Sequence, residues 1–392
     1  MALGKPAREK DFFIRPVEIQ KIYRQIKKGA NVFISGPRRV GKTSIVLHLA
    51  DHPENGIHFT YSITESARSS SEFFETLVAD LVRDKEVQRR MSGLTKAMRG
   101  LGAFITKLKG LGIAPKLVET ELHIPEEINH AASFESFLEE LIDKNTPLVI
   151  IIDEFPMTVE NILADEGEKS ATHFLQLHRR IRHNPRISEY IRFIYTGSVG
   201  LPAIVKKMEQ THEINDLSIV EIAAFQESEA KEFVSEQLLK DGLYIGEEER
   251  KFLLHKLQWH IPFHLSLFIE EIIIQAKENR NEISKALVDK SFDKLLDQKY
   301  TTYFEHYRKR LKKVFDAETH SFVLEILCLM ADKNKTSKNE LYDLAAKNRQ
   351  TESLEVILDV LMYDGYLTTK GKDGYCFISP LLKAWWRKHV CK

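Results

Sequence analysis

The spacing of hydrophobic positions changes character partway along the chain. Up to about residue 222, short apolar runs alternate with stretches of helical period. Ile19, Ile22, Tyr23 and Ile26 form one face of a helix that ends at Lys27, Lys28 and Gly29. Val32, Phe33 and Ile34 read as a buried strand, and Ile45, Val46, Leu47 and Leu49 as a helix behind it. Ile57, Phe59, Tyr61 and Ile63 alternate like a half-buried strand. Ser69 to Ser71 then offers a cap for a helix bearing Phe73, Phe74, Leu77, Val78 and Leu81. Phe134, Phe137, Leu138, Leu141 and Ile142 mark another helix, closed by Asn145-Thr146-Pro147. Leu148 to Ile152 is apolar on both faces, which places it in the middle of a covered parallel sheet. A helix from Glu168 to His183, a strand Ile191 to Thr196 and a strand at 218–222 complete this part.

From Gln226 the pattern is helical only, at 226–240, 247–257, 262–278 and 283–297, so a domain boundary falls near 224. A basic helix follows at 300–314, with Arg308, Lys309, Arg310, Lys312 and Lys313, and reads as a solvated linker face. The last 77 residues give helices near 317–332, 337–346 and 351–364, then a hairpin turning at Gly371-Lys372-Asp373-Gly374 and a helix opened by Pro380. That order predicts a winged helix. The predicted domains are 1–224, 225–298, a linker helix 299–315, and 316–392. Residues 85–128, a glycine-interrupted basic stripe with Met91, Leu94 and Met98, read as an insertion in the first domain.

Composition adds boundaries rather than direction. At 43% hydrophobic and 29% charged the chain is of globular type, and 57 basic residues balance 57 acidic ones, so no overall field draws it to nucleic acid or an anionic membrane. Residues 316–392 carry 11 Lys plus Arg and 11 Asp plus Glu. With acids Glu352, Glu355, Asp359 and Asp364 around its third helix, that module favours an unknown protein partner or an autoinhibitory role over duplex DNA. Three cysteines without ligand spacing point to a reducing compartment and no metal site. The start MALGKPAREKDFF has no apolar core of signal length and no apolar run approaches a membrane span, which predicts a cytoplasmic protein.

The chemistry concentrates in two places. Gly36-Pro37-Arg38-Arg39-Val40-Gly41-Lys42-Thr43 matches G-x-x-x-x-G-K-[ST] between a strand and a helix. Glycines let backbone N–H groups wrap a phosphate chain, Lys42 neutralises the β and γ phosphates, and Thr43 offers a hydroxyl to Mg2+; Ser44 continues the phosphate-facing turn. The second place is Asp153-Glu154, at the carboxyl end of the apolar strand, where ligands of parallel sheets bind. Asp153 suits Mg2+, and Glu154 the orientation or deprotonation of an attacking water. The candidate catalytic residues are thus Glu154 and Lys42, the metal residues Thr43 and Asp153, and the cofactors ATP or ADP with Mg2+. Thr196 or Ser198, at the end of the third strand, is the candidate γ-phosphate sensor. The predicted fold class is α/β, a P-loop NTPase three-layer parallel sheet followed by an all-helical lid and a C-terminal winged helix.

GPRRVGKTS, LVIIIDEF, IYTGSVGL, HIPFHL and FISPLLKAWWRK, in this order, resemble the archaeal-type branch of the STAND NTPases, relatives of AAA+ ATPases. The resemblance implies an ATP-driven switch with a five-stranded parallel sheet, a helical lid that closes over nucleotide and a winged helix that swings with nucleotide state. It also implies that Arg15 and Glu18 belong to an adenine-side motif and that Pro262 touches the base. Ile14 stands where that motif usually has glycine, and Trp259-His260 replace small residues before the lid proline. Between Gly197 and the next strand there is no arginine, only Lys206 and Lys207, so an AAA+ arginine finger is not evident. The expectation is a slow Mg-dependent ATPase switch, compatible with nucleotide-dependent oligomerisation. The alternatives are a non-hydrolysing nucleotide-binding scaffold and a DNA-binding winged-helix regulator.

Overall fold

The computed structural model describes residues 4–54, 56–91, 130–197, 200–279, 282–372 and 374–391. The chain divides into two compact units. One comprises Arg8–Gly36 and Lys42–Ile222, and the other joins the chain start, Pro37–Gly41 and the residues from Ala223 on.

The first unit is built on five strands, β1 (Asn31–Ser35), β2 (His58–Ile63), β3 (Leu148–Asp153), β4 (Ile191–Thr196) and β5 (Leu217–Glu221). Their order across the sheet is β2-β3-β4-β1-β5, and every pairing is parallel. All six residues of β3 are buried, as an apolar run covered on both faces requires. The pairs Ile34 with Thr196 and Ile63 with Asp153 bring the carboxyl ends of β1 to β4 along one edge. The helix Pro16–Lys27 starts with proline in its first turn, where a missing N–H is harmless, and buries Ile22, Tyr23 and Ile26. Ser69 caps the helix Ser70–Arg83 by accepting the Glu72 N–H.

An aromatic cluster fixes the region beneath the acids. Phe155, the residue after Glu154, is buried with its ring centroid 4.6 Å from that of Tyr195 and 4.9 Å from that of His178. Burial among these rings drives the His178 pKa well down, so it serves as a neutral core residue whose Nδ1 faces the Tyr195 hydroxyl at 3.2 Å. The helix Phe155–Glu166 follows β3 directly and buries Phe155, Val159 and Ile162 at helical spacing; it is not among the elements expected above. The basic insertion expected at 85–128 is described only as far as the helix Lys85–Met91; the rest of that expectation lies outside the described residues.

In the second unit, helices Glu227–Lys240, Glu247–Leu257, Pro262–Glu278 and Lys285–Lys294 precede the helix Thr301–Val314. Then come helices Ala317–Asp332, Lys338–Lys347, Leu354–Tyr363 and Pro380–His389, together with β6 (Thr336–Ser337), β7 (Leu367–Thr369) and β8 (Gly374–Phe377). These three strands form an antiparallel sheet in the order β6-β8-β7. Trp385 and Trp386 are fully buried.

Two expectations fail in this unit. Arg310 does not belong to a solvated face: its guanidinium and the Asp364 carboxylate form an ion pair at 3.1 Å, with 6% and 3% of the side chains exposed, which removes one charge from the expected patch. Cys328 and Cys391, separated by 63 positions, form a disulfide and leave Cys376 free, contrary to the reading of three reduced thiols. Spacing along the chain says nothing about which thiols folding brings together. Among the described residues no helix is long and apolar enough to cross a membrane.

Candidate functional site

The loop after β1 turns through conformations that side chains resist. Gly36 has φ 142° and Gly41 φ 96°, and Arg39 between them also takes a positive φ, 69°. Val40, fully buried, anchors the loop, and the helix Lys42–Asp51 starts directly behind it, so the first-turn backbone N–H groups and the positive end of the helix dipole face the loop. Lys42 is 6% exposed and its Nζ donates to the Gly36 carbonyl at 2.7 Å. An ammonium held at the head of a glycine-turned loop is a grip for a polyphosphate. Ser44 is buried in the first turn of the same helix.

One residue on, Thr43 crosses to the acids. Its Oγ1 donates to Asp153 Oδ2 at 2.9 Å, across 110 positions of sequence. The same oxygen accepts the Tyr61 hydroxyl at 3.0 Å, while Oδ1 accepts the Glu154 N–H at 3.0 Å. Asp153 is 1% exposed, and burial, reinforced by the neighbouring Glu154 charge, raises its pKa despite these donors. A buried carboxylate in that condition is a natural partner for a cation. Glu154 itself sits in the left-handed region, φ 56° and ψ 28°, at the start of the helix Phe155–Glu166. Such a conformation in a non-glycine residue costs on the order of 1–3 kcal/mol and persists only where surroundings enforce it; here Phe155 and Pro156, both buried, do so. The end of β4 closes this side: a Cβ on Gly197 would lie 3.5 Å from Glu154 Oε2. Thr196, fully buried, has a hydroxyl without a hydrogen-bond partner among the described residues. A phosphate grip, an under-compensated buried carboxylate with a hydroxyl beside it, and an orphaned hydroxyl at the neighbouring strand end fit a nucleotide phosphate chain and a divalent cation.

A family model described as an ATPase domain predominantly from Archaea matches residues 12–251. The chain belongs to that family. Among solved structures, it is similar to the Walker-type ATPase PABY2304 of Pyrococcus abyssi, with TM-score 0.63 and 17% identity over 97% of each chain. It is also similar to the Aeropyrum pernix ORC2 protein, solved as ADPNP-ADP complexes, with TM-score 0.54 and 13% identity over 95% of this chain and 91% of that one. At these identities the likeness is one of fold. No curated protein matches the chain. The protein is a P-loop ATPase of archaeal type that binds nucleotide through an α/β fold with a five-stranded parallel sheet.

Other residues expected at the site of this archaeal-type ATPase are placed less directly. Arg15 is 3% exposed and its Nη2 donates to Glu18 Oε1 at 2.6 Å, so the adenine-side pair expected from the sequence is joined, with Ile14 and Val17 exposed beside it. Pro37, Arg38 and Arg39 group with the second unit, where the Arg39 guanidinium lies 4.3 Å from the Phe263 ring centroid. Burial lowers the Arg39 pKa. The Arg39 side chain therefore rests on an aromatic face. Pro262 opens the helix Pro262–Glu278 and its carbonyl accepts the Ser266 hydroxyl at 2.7 Å. Ser198 lies outside the described residues.

Three contributors escaped the sequence reading. Tyr61 was legible only as one apolar position of an alternating strand, although a tyrosine on a strand beside an acid-ended one is a detectable signal. Phe263 and Gly197 gave none, since their roles depend on contacts across long stretches of chain.

Proposed function

We propose that this ATPase works as a slow, Mg-dependent molecular switch of the STAND type. Lys42 and the amides of Gly36–Gly41 hold the β and γ phosphates, and Ser44 completes the turn that carries them. Thr43 and Asp153 are the residues that would hold Mg2+, which when bound screens phosphate charge. Glu154 accepts the proton of the attacking water, and Thr196 or Ser198 reports the presence of the γ-phosphate. Arg15 and Pro262 line the base.

The observation that carries this reading is the 2.9 Å hydrogen bond from Thr43 to Asp153, which joins the first turn behind the phosphate loop to the tip of the acid strand. Slow turnover follows from the supply of cations. No arginine occurs between Gly197 and β5. In the same unit Arg182 is committed to Asp216 at 2.7 Å, and Arg192 donates to backbone carbonyls of Ser188 and Ile191. With no arginine in that segment to add to Lys42 and a bound Mg2+ at the transferring phosphoryl group, rates of intrinsic rather than stimulated hydrolysis are expected.

The domains that carry the switch are 1–224 for the ATPase core, with the insertion at 85–128, 225–298 for a lid, 299–315 for a linker helix and 316–392 for a winged helix. The order of the last segment, a helix, a short strand, two helices, two strands and a closing helix, supports the winged-helix reading. Its balanced charge supports a protein partner over DNA. Replacing Glu154 by Gln tests the chemistry: the variant is expected to retain ATP with wild-type affinity and to lose hydrolysis by two orders of magnitude or more. Normal turnover in Glu154→Gln would show that another group handles the water.

A further inference from the structure

Tyr61 is bound into the acid site by more than proximity. It pairs with Ile151 across β2 and β3, and Ile63 pairs with Asp153. Tyr61 and Asp153 are therefore diagonal neighbours on one sheet face, a separation that an aromatic side chain spans. The phenol donates to Asp153 Oδ2 at 3.0 Å, the oxygen that also takes Thr43 Oγ1 at 2.9 Å, and the Glu154 N–H occupies Oδ1 at 3.0 Å. Three donors on two oxygens leave the carboxylate one orientation. Of the three, the Thr43 hydroxyl is the one that a metal would also engage. The Glu154 amide belongs to the adjacent residue and moves with the carboxylate's own backbone. Among the described residues Tyr61 is the one that pins the Asp153 carboxylate from a different strand.

We propose that Tyr61 is a positioning residue for the metal site: its hydroxyl holds the Asp153 carboxylate in the orientation that meets the Thr43 hydroxyl, so that a divalent cation arriving with nucleotide finds both ligands set. The proposal rests on the assignment of Thr43 and Asp153 to Mg2+ made above. Groups that orient metal ligands in this way typically contribute roughly tenfold to a hundredfold in metal affinity. The ring remains in Tyr61→Phe, so packing of the strand is conserved and only the anchoring bond is lost.

The test is equilibrium binding of a non-hydrolysable ATP analogue to the full chain, with Mg2+ and with EDTA, for wild type and Tyr61→Phe. Wild type is expected to bind more tightly with Mg2+. Tyr61→Phe is expected to match wild type in EDTA, to melt within a few degrees of it, and to require roughly tenfold to a hundredfold more Mg2+ for the same enhancement. An unchanged Mg2+ requirement overturns the positioning role. So does equal weakening in both buffers, which would mark Tyr61 as a packing residue. A wild type whose affinity ignores Mg2+ overturns the metal assignment itself, and is told apart because it requires no variant.

Discussion

Gly197 offers a sharp probe of how Glu154, the proposed hydrolytic acid, is held. Its φ is not among the positive ones, so alanine is compatible with the backbone there and any effect must come from contact. A methyl group at Gly197 would lie 2.5 Å from Pro156 Cδ and 2.9 Å from Cγ. Ordinary carbon contacts begin at about 3.5 Å, so ring and strand end must part by about 1 Å. Proline cannot swing aside, because its ring is closed on its own backbone and Pro156 is buried in the first turn of its helix. The displacement passes to the segment Glu154–Pro156. Overpacking of this kind costs about 1–3 kcal/mol of stability. A shift approaching 1 Å in a catalytic group costs on the order of a hundredfold in rate. Single-turnover hydrolysis, nucleotide titration and urea unfolding of Gly197→Ala should therefore show a rate about a hundredfold lower and affinity within a few-fold of wild type. The unfolding midpoint should fall accordingly. Wild-type turnover together with wild-type stability would refute the account of how Glu154 is positioned, and an equal fall in affinity would locate the damage in the phosphate grip instead.

Further predictions concern charge and covalent structure. Burial raises the Asp153 pKa in the folded protein above its unfolded value near 3.9, so the folded state holds that proton longer and the contribution of Asp153 to stability declines as pH rises through the folded pKa. Compared with Asp153→Asn, both free of nucleotide and metal, the wild type should lose relative stability between acid and neutral pH in thermal melts; a difference that is flat or grows with pH would contradict the burial argument. The disulfide Cys328–Cys391 closes a loop of 63 positions, for which the chain-entropy estimate is about 4 kcal/mol. Cys328→Ser, or reduction of the wild type, should lower the unfolding midpoint of the C-terminal helices, and three titratable thiols in unreduced, unfolded protein would show that the bond does not form.

What could be read from the sequence divides by range. The phosphate loop and the apolar strand ending in Asp153-Glu154 are local patterns, and local patterns with a chemical reason are legible. The helix Glu168–His183 was likewise placed residue for residue, because Phe174 and Ile181 repeat at helical spacing. The helix Phe155–Glu166 was not, although Phe155, Val159 and Ile162 stand at helical spacing along it. Whatever depended on distant partners stayed hidden: the Cys328–Cys391 bond, the burial of Arg310 against Asp364, the hydroxyl of Tyr61 on Asp153, and the resting place of Arg39 on Phe263. Charge counts misjudged Arg310 for the same reason, since a run of basic residues on a helix reveals nothing about an acid 54 positions later.

The interposition of β4 between β1 and β3 has a consequence for engineering. Adjacent strands lie about 4.8 Å apart, so the loop-bearing and acid-bearing strands are set about 10 Å from each other. Thr43 meets Asp153 at 2.9 Å across that interval, so the contact depends on a loop and an acid strand set two places apart. Transplanting the loop alone into a sheet of another order would thus carry over the lysine and the glycines without the carboxylate that Thr43 reaches.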